Sequence, residues 1–312
     1  MTGSPDGAGS NDSGLDALGL EALGLDADGL RGLAALAVEI AEEVGERLVA
    51  GLDGPGPAIA TKSTHTDLVT ELDTWAEAHI TERLLAARPD DGVVGEEGVA
   101  VTGISGVTWC LDPIDGTVNF VHGLPGFCIS IAAQVGSGSV GSGSVDGGPV
   151  GSRSVVGVVH SPLHRETFVA TLGGGATAHG DRTQDRRPIR CAEPPSLGRA
   201  VIGTGFGYDP ERRRRQAEVL TRVIPQIADI RRGGAAALDL CWVAAGRLDG
   251  YWEVGLNPWD HAAGALIARE AGAVVEGPDR APEPSAAFTL AASLAIVDDL
   301  RQVLTEARAT DV

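Results

Sequence analysis

The order of hydrophobic patterns along the chain is the feature that most restricts its fold. Apolar residues recur at helical spacing from Arg31 to Leu48 and again from Glu71 to Ala87. Runs typical of β-strands follow, separated by Gly, Pro and Asp turn signals, at 107–111, 128–135, 155–160 and 167–172. Two helices followed by consecutive strands predict a helical layer on a largely antiparallel sheet.

The second half of the chain follows a different pattern. After Cys191, strand and helix signals alternate, which is typical of an α/β arrangement. The expected strands lie at 200–203 and 227–230, and the expected helices at 211–223, 235–245 and 257–271. We therefore predict two packed halves, residues 31–190 and residues 191–312.

Two segments are too poor in large apolar side chains to pack well. Residues 1–30 are rich in Gly, Asp and Ser, and their glycines oppose a stable helix, so we predict a disordered acidic tail. Residues 136–154 are almost wholly Gly, Ser and Val, and we predict a flexible insertion there. The four cysteines stand far apart without a CxxC pair, which indicates core residues rather than disulfides or zinc ligands.

The charge of the chain excludes some partners. With 43 acidic and 24 basic residues, the formal net charge of −19 would repel nucleic acid and anionic membranes. The basic run Arg212–Arg215 is therefore expected to form a solvated helix face. An acidic protein that binds a phosphate must neutralise it locally, and carboxylates clustered around a divalent cation can do so.

Targeting signals are also missing from the sequence. No stretch approaches the roughly 20 apolar residues of a membrane-spanning helix. The N-terminus lacks the basic region and apolar run of a secretion signal. We expect a soluble, cytoplasmic protein with no membrane partner.

The strongest local motif is an apolar strand that leads directly into a turn with two carboxylates. Asp112 and Asp115 are separated by Pro113 and Ile114, and Gly116 follows. Two aspartates facing one point are favourable only around a cation, and hard oxygen ligands favour Mg²⁺ or Mn²⁺. A solvated Asp-Pro turn is the alternative, because these residue types are common in turns.

Three further motifs have a structural interpretation as well as a functional one. Glu96 and Glu97, between two glycines, could be a metal-binding corner or a surface turn. Thr70 and Asp73 have the spacing of a helix capping box. The segment 257–260, Asn-Pro-Trp-Asp, suits a helix start, with its acid in the first turn.

In combination, these motifs resemble the inositol monophosphatase family. The motifs are Gly-Glu-Glu-Gly at 95–98, Trp-x-Leu-Asp-Pro-Ile-Asp-Gly-Thr-x-Asn-Phe at 109–120 and Trp-Asp-x-x-Ala-Gly-x-Leu-Ile-x-x-Glu-Ala-Gly at 259–272. Lys62 and the Asp-Leu-Val-Thr segment at 67–70 precede them. The resemblance spans roughly Arg31 to the C-terminus and implies an α+β fold, a layered α-β-α-β-α sandwich.

The resemblance also implies roles for individual residues. Two to three Mg²⁺ ions would be ligated by Glu96, Asp112, the Ile114 carbonyl, Asp115 and Asp260. Asp73, Thr117 and Glu96 would orient or activate the attacking water, and Lys62 would support the site electrostatically. Gly116 and Thr117 would hold phosphate oxygens through backbone donors, and Ala236 and Glu253 would face the alcohol. Asp115 and Asp260 would also contact the substrate.

The implied reaction is hydrolysis of a small phosphate monoester, with myo-inositol monophosphate as the leading substrate. Charge neutralisation and an activated water are what such esters require, and paired cations can supply both. Histidinol phosphate, fructose 1,6-bisphosphate and a 3′-phosphoadenosine nucleotide remain alternatives within the same reaction class. A non-catalytic, metal-dependent regulator is the alternative from another class. The resemblance also implies a homodimer.

Overall fold

The computed structural model describes residues 20, 23–52, 59–61, 68–136, 152–180 and 183–312. The α-helices in these ranges are α1 (Ala27–Leu52), α2 (Glu71–Ala87), α3 (Thr117–Val121), α4 (Pro210–Val223), α5 (Ala236–Ala244), α6 (Pro258–Glu270) and α7 (Val297–Glu306). The strands are β1 (Ile59–Thr61), β2 (Leu68–Thr70), β3 (Gly92–Gly95), β4 (Ala100–Val101), β5 (Val107–Asp115), β6 (Cys128–Val135), β7 (Arg153–Ser161), β8 (Glu166–Thr171), β9 (Gly175–Gly180), β10 (Thr183–Pro188), β11 (Val201–Thr204), β12 (Asp229–Arg231), β13 (Gly250–Glu253), β14 (Val274–Glu276) and β15 (Thr289–Ala292).

The larger sheet has the order β10-β9-β8-β7-β6-β5-β3-β4, and its neighbours are antiparallel except for the parallel pair β3 and β5. Both faces of this sheet are covered. Trp109 and Leu111 on β5 pack toward α1 and α2, whereas Cys110 between them packs toward α5 and α6. This alternation follows from the two-residue period of a strand and explains why β5 and β6 are apolar almost throughout.

The smaller sheet has the order β12-β11-β13-β15-β14 and mixes parallel and antiparallel pairs. Its inner face packs on α5 and α6 through Tyr251 and Ala291, and its outer face packs on α4 and α7 through Ile202 and Leu290. The layers therefore run helices, sheet, helices, sheet, helices. The predicted α-β-α-β-α arrangement is confirmed.

The packed region extends further toward the N-terminus than the sequence predicted. Helix α1 begins at Ala27 rather than Arg31. Leu20 and Leu25, which precede the helix, are buried in the same core as Leu30 and the apolar face of α1. Burial of these leucines outweighs the low helix propensity of the nearby glycines. Residues 1–19, 21 and 22 lie outside the described residues, as do 137–151 of the predicted insertion.

Two other expectations concern the cysteines and membrane spans. The four cysteines are free thiols, three of them buried, as the sequence indicated. Within the described ranges, none of the helices combines the length and the apolar character that crossing a lipid bilayer requires.

Candidate active site

A cavity of about 460 Å³ lies where the end of β5 meets the N-termini of α3, α5 and α6 and the end of β13. Its wall carries an unusual number of carboxylates for one cavity. They belong to Glu96, Asp112, Asp115, Asp209, Asp239, Glu253 and Asp260. Two guanidinium groups, those of Arg212 and Arg232, also line it.

An irregularity in β5 brings its two aspartates to this cavity. Asp112 pairs with Ser130 of β6 and Asp115 with Cys128, so three steps along β5 match two steps along β6. In a regular strand, residues three apart point to opposite faces, and one extra residue restores them to the same side. The Asp-Pro-Ile-Asp sequence thus forms a bulge that directs both carboxylates to one place.

Backbone hydrogen bonds hold each of these carboxylates. Asp112 Oδ1 accepts from the Ile114 N–H at 3.0 Å. Asp115 accepts from the first turn of α5, with 3.3 Å from the Ala236 nitrogen to Oδ1 and 2.7 Å from the Ala237 nitrogen to Oδ2. The positive end of a helix stabilises a negative charge there. Asp115 therefore joins the two halves of the molecule at the site.

Gly116 follows Asp115 in the left-handed region, with φ of 89°. A Cβ atom at this position would lie 2.8 Å from the Gly126 carbonyl oxygen and 3.0 Å from that of Gly234. Both the backbone angle and the close approach require glycine. Asn119 fixes the same corner, because its amide donates to the carbonyl groups of Gly126 and Gly233.

Asp73 lies behind Thr117 and is fully buried. Its Oδ2 accepts from the Thr70 N–H at 2.8 Å and from the Thr70 hydroxyl at 2.6 Å, so the capping box predicted from the sequence is present. Its Oδ1 lies 3.2 Å from the Thr117 hydroxyl, which also lies 3.0 Å from the Ile114 carbonyl oxygen. Asp73 thus caps the helix and also contacts Thr117 on the cavity wall.

Glu96 reaches the cavity from a loop whose anchor was not predicted. The buried carboxylate of Glu77 accepts from the Glu97 N–H at 2.7 Å and from the Val99 N–H at 2.9 Å. Gly95 makes room for it, since a Cβ there would collide with Glu77 Oε2. The sequence contained a signal for this anchor, because Glu77 lies four residues after Asp73 on the buried stripe of α2.

The remaining predicted residues belong to the second half. Asp260, in the first turn of α6, accepts from the Asn257 N–H at 2.6 Å. Glu253, at the end of β13, accepts a hydrogen bond from the Tyr251 hydroxyl. Gly205 leaves the space that the Glu253 carboxylate occupies, because a Cβ there would collide with it.

Burial, and then mutual repulsion, raises the pKa values of Asp112, Asp115 and Asp260. Burial raises the pKa of Asp112 well above its usual range, and the charges of Glu96, Asp115 and Asp260 raise it further. Burial raises the pKa of Asp115 to about 7, although the Ala237 N–H lowers it. Burial also raises the pKa of Asp260, and the charges of Asp115 and Glu96 raise it further. Acids that cannot all ionise together in the metal-free protein would be stabilised in their ionised form by a bound cation.

The donor set fits a hard divalent cation. Carboxylate oxygens and the Ile114 carbonyl are the ligand types that Mg²⁺ takes in proteins, and no histidine or thiol lines the cavity within the described chain. In the same part of the chain, no three acidic, histidine or cysteine side chains already stand together as a ready metal group.

Nearly all of the residues predicted from the sequence meet at this cavity. Those on its wall are Glu96, Asp112, Ile114, Asp115, Gly116, Thr117, Ala236, Glu253 and Asp260. Asp73 contacts the site through Thr117. Lys62 lies outside the described residues, and its role stays a prediction. Sequence reasoning missed Glu77, Asn119, Asp239, Arg212 and Arg232, which become significant only through tertiary contacts.

Comparison with known proteins is consistent with this geometry. A sequence model of the inositol monophosphatase family matches residues 30–312. The chain belongs to the inositol monophosphatase family. The relationship supports a phosphatase-type hydrolase with metal-dependent catalysis that acts on a small phosphate-bearing molecule.

Individual family members show the extent of the similarity. Inositol-1-monophosphatase SuhB of Mycobacterium tuberculosis is 47% identical over 228 residues, 72% of each chain. Nus factor SuhB of Escherichia coli K12 is 35% identical over 242 residues, 77% of this chain and 83% of that one. The solved structure of SuhB from Bartonella henselae aligns with a TM-score of 0.76 at 32% identity, covering 88% of this chain and 99% of that one.

Proposed function

We propose that this chain is a Mg²⁺-dependent phosphatase that hydrolyses myo-inositol monophosphate to myo-inositol and phosphate. The observation that carries the proposal is the bulge in β5, which turns Asp112 and Asp115 toward the cavity that Glu96 and Asp260 also line. These acids, together with the Ile114 carbonyl, are the residues that would hold two to three Mg²⁺ ions. The raised pKa values of Asp112 and Asp260, caused by burial and then by the neighbouring acids, support cation binding at this place.

The cations, when bound, would neutralise phosphate oxygens and lower the pKa of the attacking water. The chain's own groups would orient that water. Thr117 lies on the cavity wall and can accept a hydrogen bond from water while it donates its own proton to Asp73 Oδ1. Thr70 holds the other oxygen of Asp73, so Oδ1 keeps its direction. We assign proton acceptance to this pair and to Glu96.

Phosphate and alcohol would occupy different parts of the cavity. Gly116 and Thr117 would offer backbone donors to the phosphate, beside Asp115 and Asp260. Glu253 would accept hydrogen bonds from neighbouring hydroxyl groups of the alcohol, which supports a polyol substrate. Histidinol phosphate, fructose 1,6-bisphosphate and a 3′-phosphoadenosine nucleotide stay as alternatives, because side chains outside the metal cluster decide among them.

A regulatory role is the second candidate function. Several relatives, including the one from Escherichia coli, carry the name Nus factor SuhB. A protein that acted only by binding a partner would have no need of water-orienting groups. Here Asp73 and Thr117 are hydrogen-bonded to each other and Glu96 lines the same cavity, which supports catalysis.

Phosphate release across a substrate panel tests the proposal. The full chain would be assayed with Mg²⁺ on myo-inositol 1-phosphate and the three alternative phosphates. We expect the highest kcat/KM on the inositol ester. A higher value on another ester would reassign the substrate, and no release from any would favour the regulatory role. The predicted homodimer can be tested by light scattering on the same sample, and the cytoplasmic location by cell fractionation.

A further inference from the structure

A second cavity, of about 890 Å³, lies on the other face of the larger sheet from the acidic cluster. Its walls come from α1 and from the ends of β7, β8 and β9. Val159 of β7 packs toward α5 and α6, so the next residue, His160, points the other way, toward α1. Gly45 of α1 leaves room for the His160 ring, since a Cβ atom there would lie 2.6 Å from His160 Nε2. The two cavities share no lining residue.

Glu42 of α1 lies at the centre of a hydrogen-bonded group of side chains in this second cavity. Its Oε1 accepts from the Thr167 hydroxyl at 2.9 Å and lies 2.9 Å from His179 Nε2. The Thr167 oxygen lies 2.9 Å from His160 Nδ1. Thr167 gives its single proton to the carboxylate, so it accepts from the N–H of His160 Nδ1. By the same rule, Nε2 is the nitrogen of His179 that donates to Glu42.

This arrangement leaves three acceptor atoms without a donor among the described residues. They are Nε2 of His160, Oε2 of Glu42 and Nδ1 of His179, and the last is also buried. Burial lowers the pKa of His160 to about 4, although Glu42 opposes the shift, so the ring remains neutral at neutral pH. Acceptors that lack donors favour a ligand that brings N–H or O–H groups.

The charges of the second cavity favour a cation among such ligands. Its wall carries two carboxylates, those of Glu42 and Glu46, against one guanidinium, that of Arg165. The chain as a whole has a formal charge of −19. Glu42 and Glu46 stand four residues apart on α1, which places their Cβ atoms about 5–6 Å apart on one side of the helix. Two positive groups joined by a short chain would match this spacing.

We propose that the second cavity binds a small aliphatic diamine, with one ammonium group at Glu42 and His160 and the other at Glu46. An ammonium group carries three N–H donors and no acceptor, which complements the unpaired acceptors. The methylene carbons of the diamine would lie against the apolar part of the wall, formed by Val49, Pro162 and Leu163. The proposal is independent of the phosphatase reaction.

A metal ion fits this group of side chains less well than an ammonium group. Nitrogen and oxygen ligands must approach a metal ion to about 2.0–2.6 Å. Across the described ranges, acidic, histidine and cysteine side chains do not gather in threes closely enough for that. N–H donors reach their acceptors at about 2.7–3.2 Å and so serve acceptors that stand further apart.

Calorimetric titration of the full chain with 1,4-diaminobutane in saturating Mg²⁺ tests this site. Mg²⁺ is included so that the acidic cluster of the other cavity does not take up the amine. 1,4-Butanediol has the same carbon chain with hydroxyl groups, and butylamine has a single ammonium group. Glu42→Gln and Glu46→Gln each remove one carboxylate. Glu39→Gln is the control, because Glu39 lies one turn earlier on α1, outside the cavity, and pairs with Arg83.

We expect one diamine to bind per chain, and the diol to bind at least about tenfold more weakly. Glu42→Gln should weaken binding of the diamine about tenfold or more, because hydrogen bonds to charged groups are strong, and Glu39→Gln should leave it unchanged. Glu46→Gln should weaken binding of the diamine but not of butylamine, which a general loss of negative charge would not do. Glu46 is exposed, so this variant keeps the test valid if Glu42→Gln fails to fold.

Three results would overturn the proposal. They are no binding of the diamine, equal affinity for the diol, and equal losses in Glu42→Gln and Glu39→Gln. The last result would mean that the amine responds only to the overall charge of the protein. Because phosphate release is not measured, failure of the proposed function would leave this test unaffected.

Discussion

The two ends of the cavity are built differently. At the proposed phosphate end, formed by Asp112, Asp115, Gly116 and Thr117, the carboxylates are held by backbone N–H groups of the β5 turn and of α5. At the proposed alcohol end, formed by Arg212, Arg232 and Glu253, the side chains occupy space left by glycines, and Glu253 accepts from the Tyr251 hydroxyl.

This difference separates the reaction from the choice of substrate. Groups held by backbone hydrogen bonds cannot shift unless the sheet or helix that carries them shifts, so the fold itself fixes the reaction chemistry. Groups held by side chains can be exchanged at little cost to the fold, so substrate choice can change while the reaction stays the same.

The largest effect is expected from Asp112→Asn at the phosphate end. Loss of this carboxylate should abolish turnover of every phosphate monoester, because cation binding and water activation depend on it. The metal-free protein should not melt at a lower temperature, since the change removes a buried charge that Glu96 and Asp115 oppose. Phosphate release and thermal melting in EDTA would be measured together. Activity that fell on some esters and persisted on others would contradict the comparison.

Glu77→Gln tests whether the loop of Glu96 must be held in place. An amide cannot accept from both the Glu97 and Val99 N–H groups, so one hydrogen bond to a charged group is lost, a cost of about 1.5–3 kcal/mol. The Mg²⁺ concentration for half-maximal activity should rise about tenfold, with less effect on the KM for substrate. Glu71→Gln, an exposed acid on the same helix, is the control. A uniform fall in kcat at unchanged Mg²⁺ dependence would indicate a purely structural role for Glu77.

Glu253→Gln addresses the alcohol end. The change weakens an acceptor for hydroxyl groups, so kcat/KM for the preferred polyol phosphate should fall about tenfold. A generic ester such as p-nitrophenyl phosphate should lose much less. Equal losses on both esters would move Glu253 into the reacting centre and remove the main support for a polyol substrate.

The predictions from the sequence agree best with the structure where a local sequence pattern determines the element or the site. The boundaries of α2 and β6 match the predicted ranges, because a capping box at Thr70 marks the start of the helix and a largely apolar run, buried throughout, marks the strand. Asp112 and Asp115 could be found because one bulge brings both to the site, so the motif is local. Glu77 and Arg212 could not, since Glu77 bonds to Glu97, 20 positions away, and Arg212 lies over Gly255, 43 positions away in the chain.

At the N-terminus, by contrast, the local sequence pattern gave a wrong prediction. Glycines near Leu25 and Leu30 predicted a disordered tail, yet these leucines are buried in the core and α1 starts at Ala27. Intrinsic propensity is a weak guide when tertiary contacts bury an apolar side chain. The electrostatic role of Lys62, which the resemblance implies, remains a prediction.

The smallest expected effect concerns pH and the metal-free protein. The folded-state pKa of Asp115 is raised from 3.8 to about 7, so between these values the folded protein holds a proton that the unfolded chain releases. The stability contributed by this group is therefore present at low pH and lost as the pH rises through that window. Melting in EDTA should occur at a lower temperature at pH 8 than at pH 5, and Asp115→Asn should reduce the difference. Asp185→Asn, at an exposed strand position, is the control.

Dependence on the cation tests the central claim most directly. The full chain would be assayed on myo-inositol 1-phosphate before chelation, in excess EDTA, and after Mg²⁺ is restored. Because the acidic cluster at the end of β5 is the proposed reacting centre, phosphate release should cease in EDTA and return with Mg²⁺. The thermal midpoint should rise on adding Mg²⁺ to the chelated protein, since a ligand that binds only the folded state stabilises it. Undiminished phosphate release in excess EDTA would contradict the account.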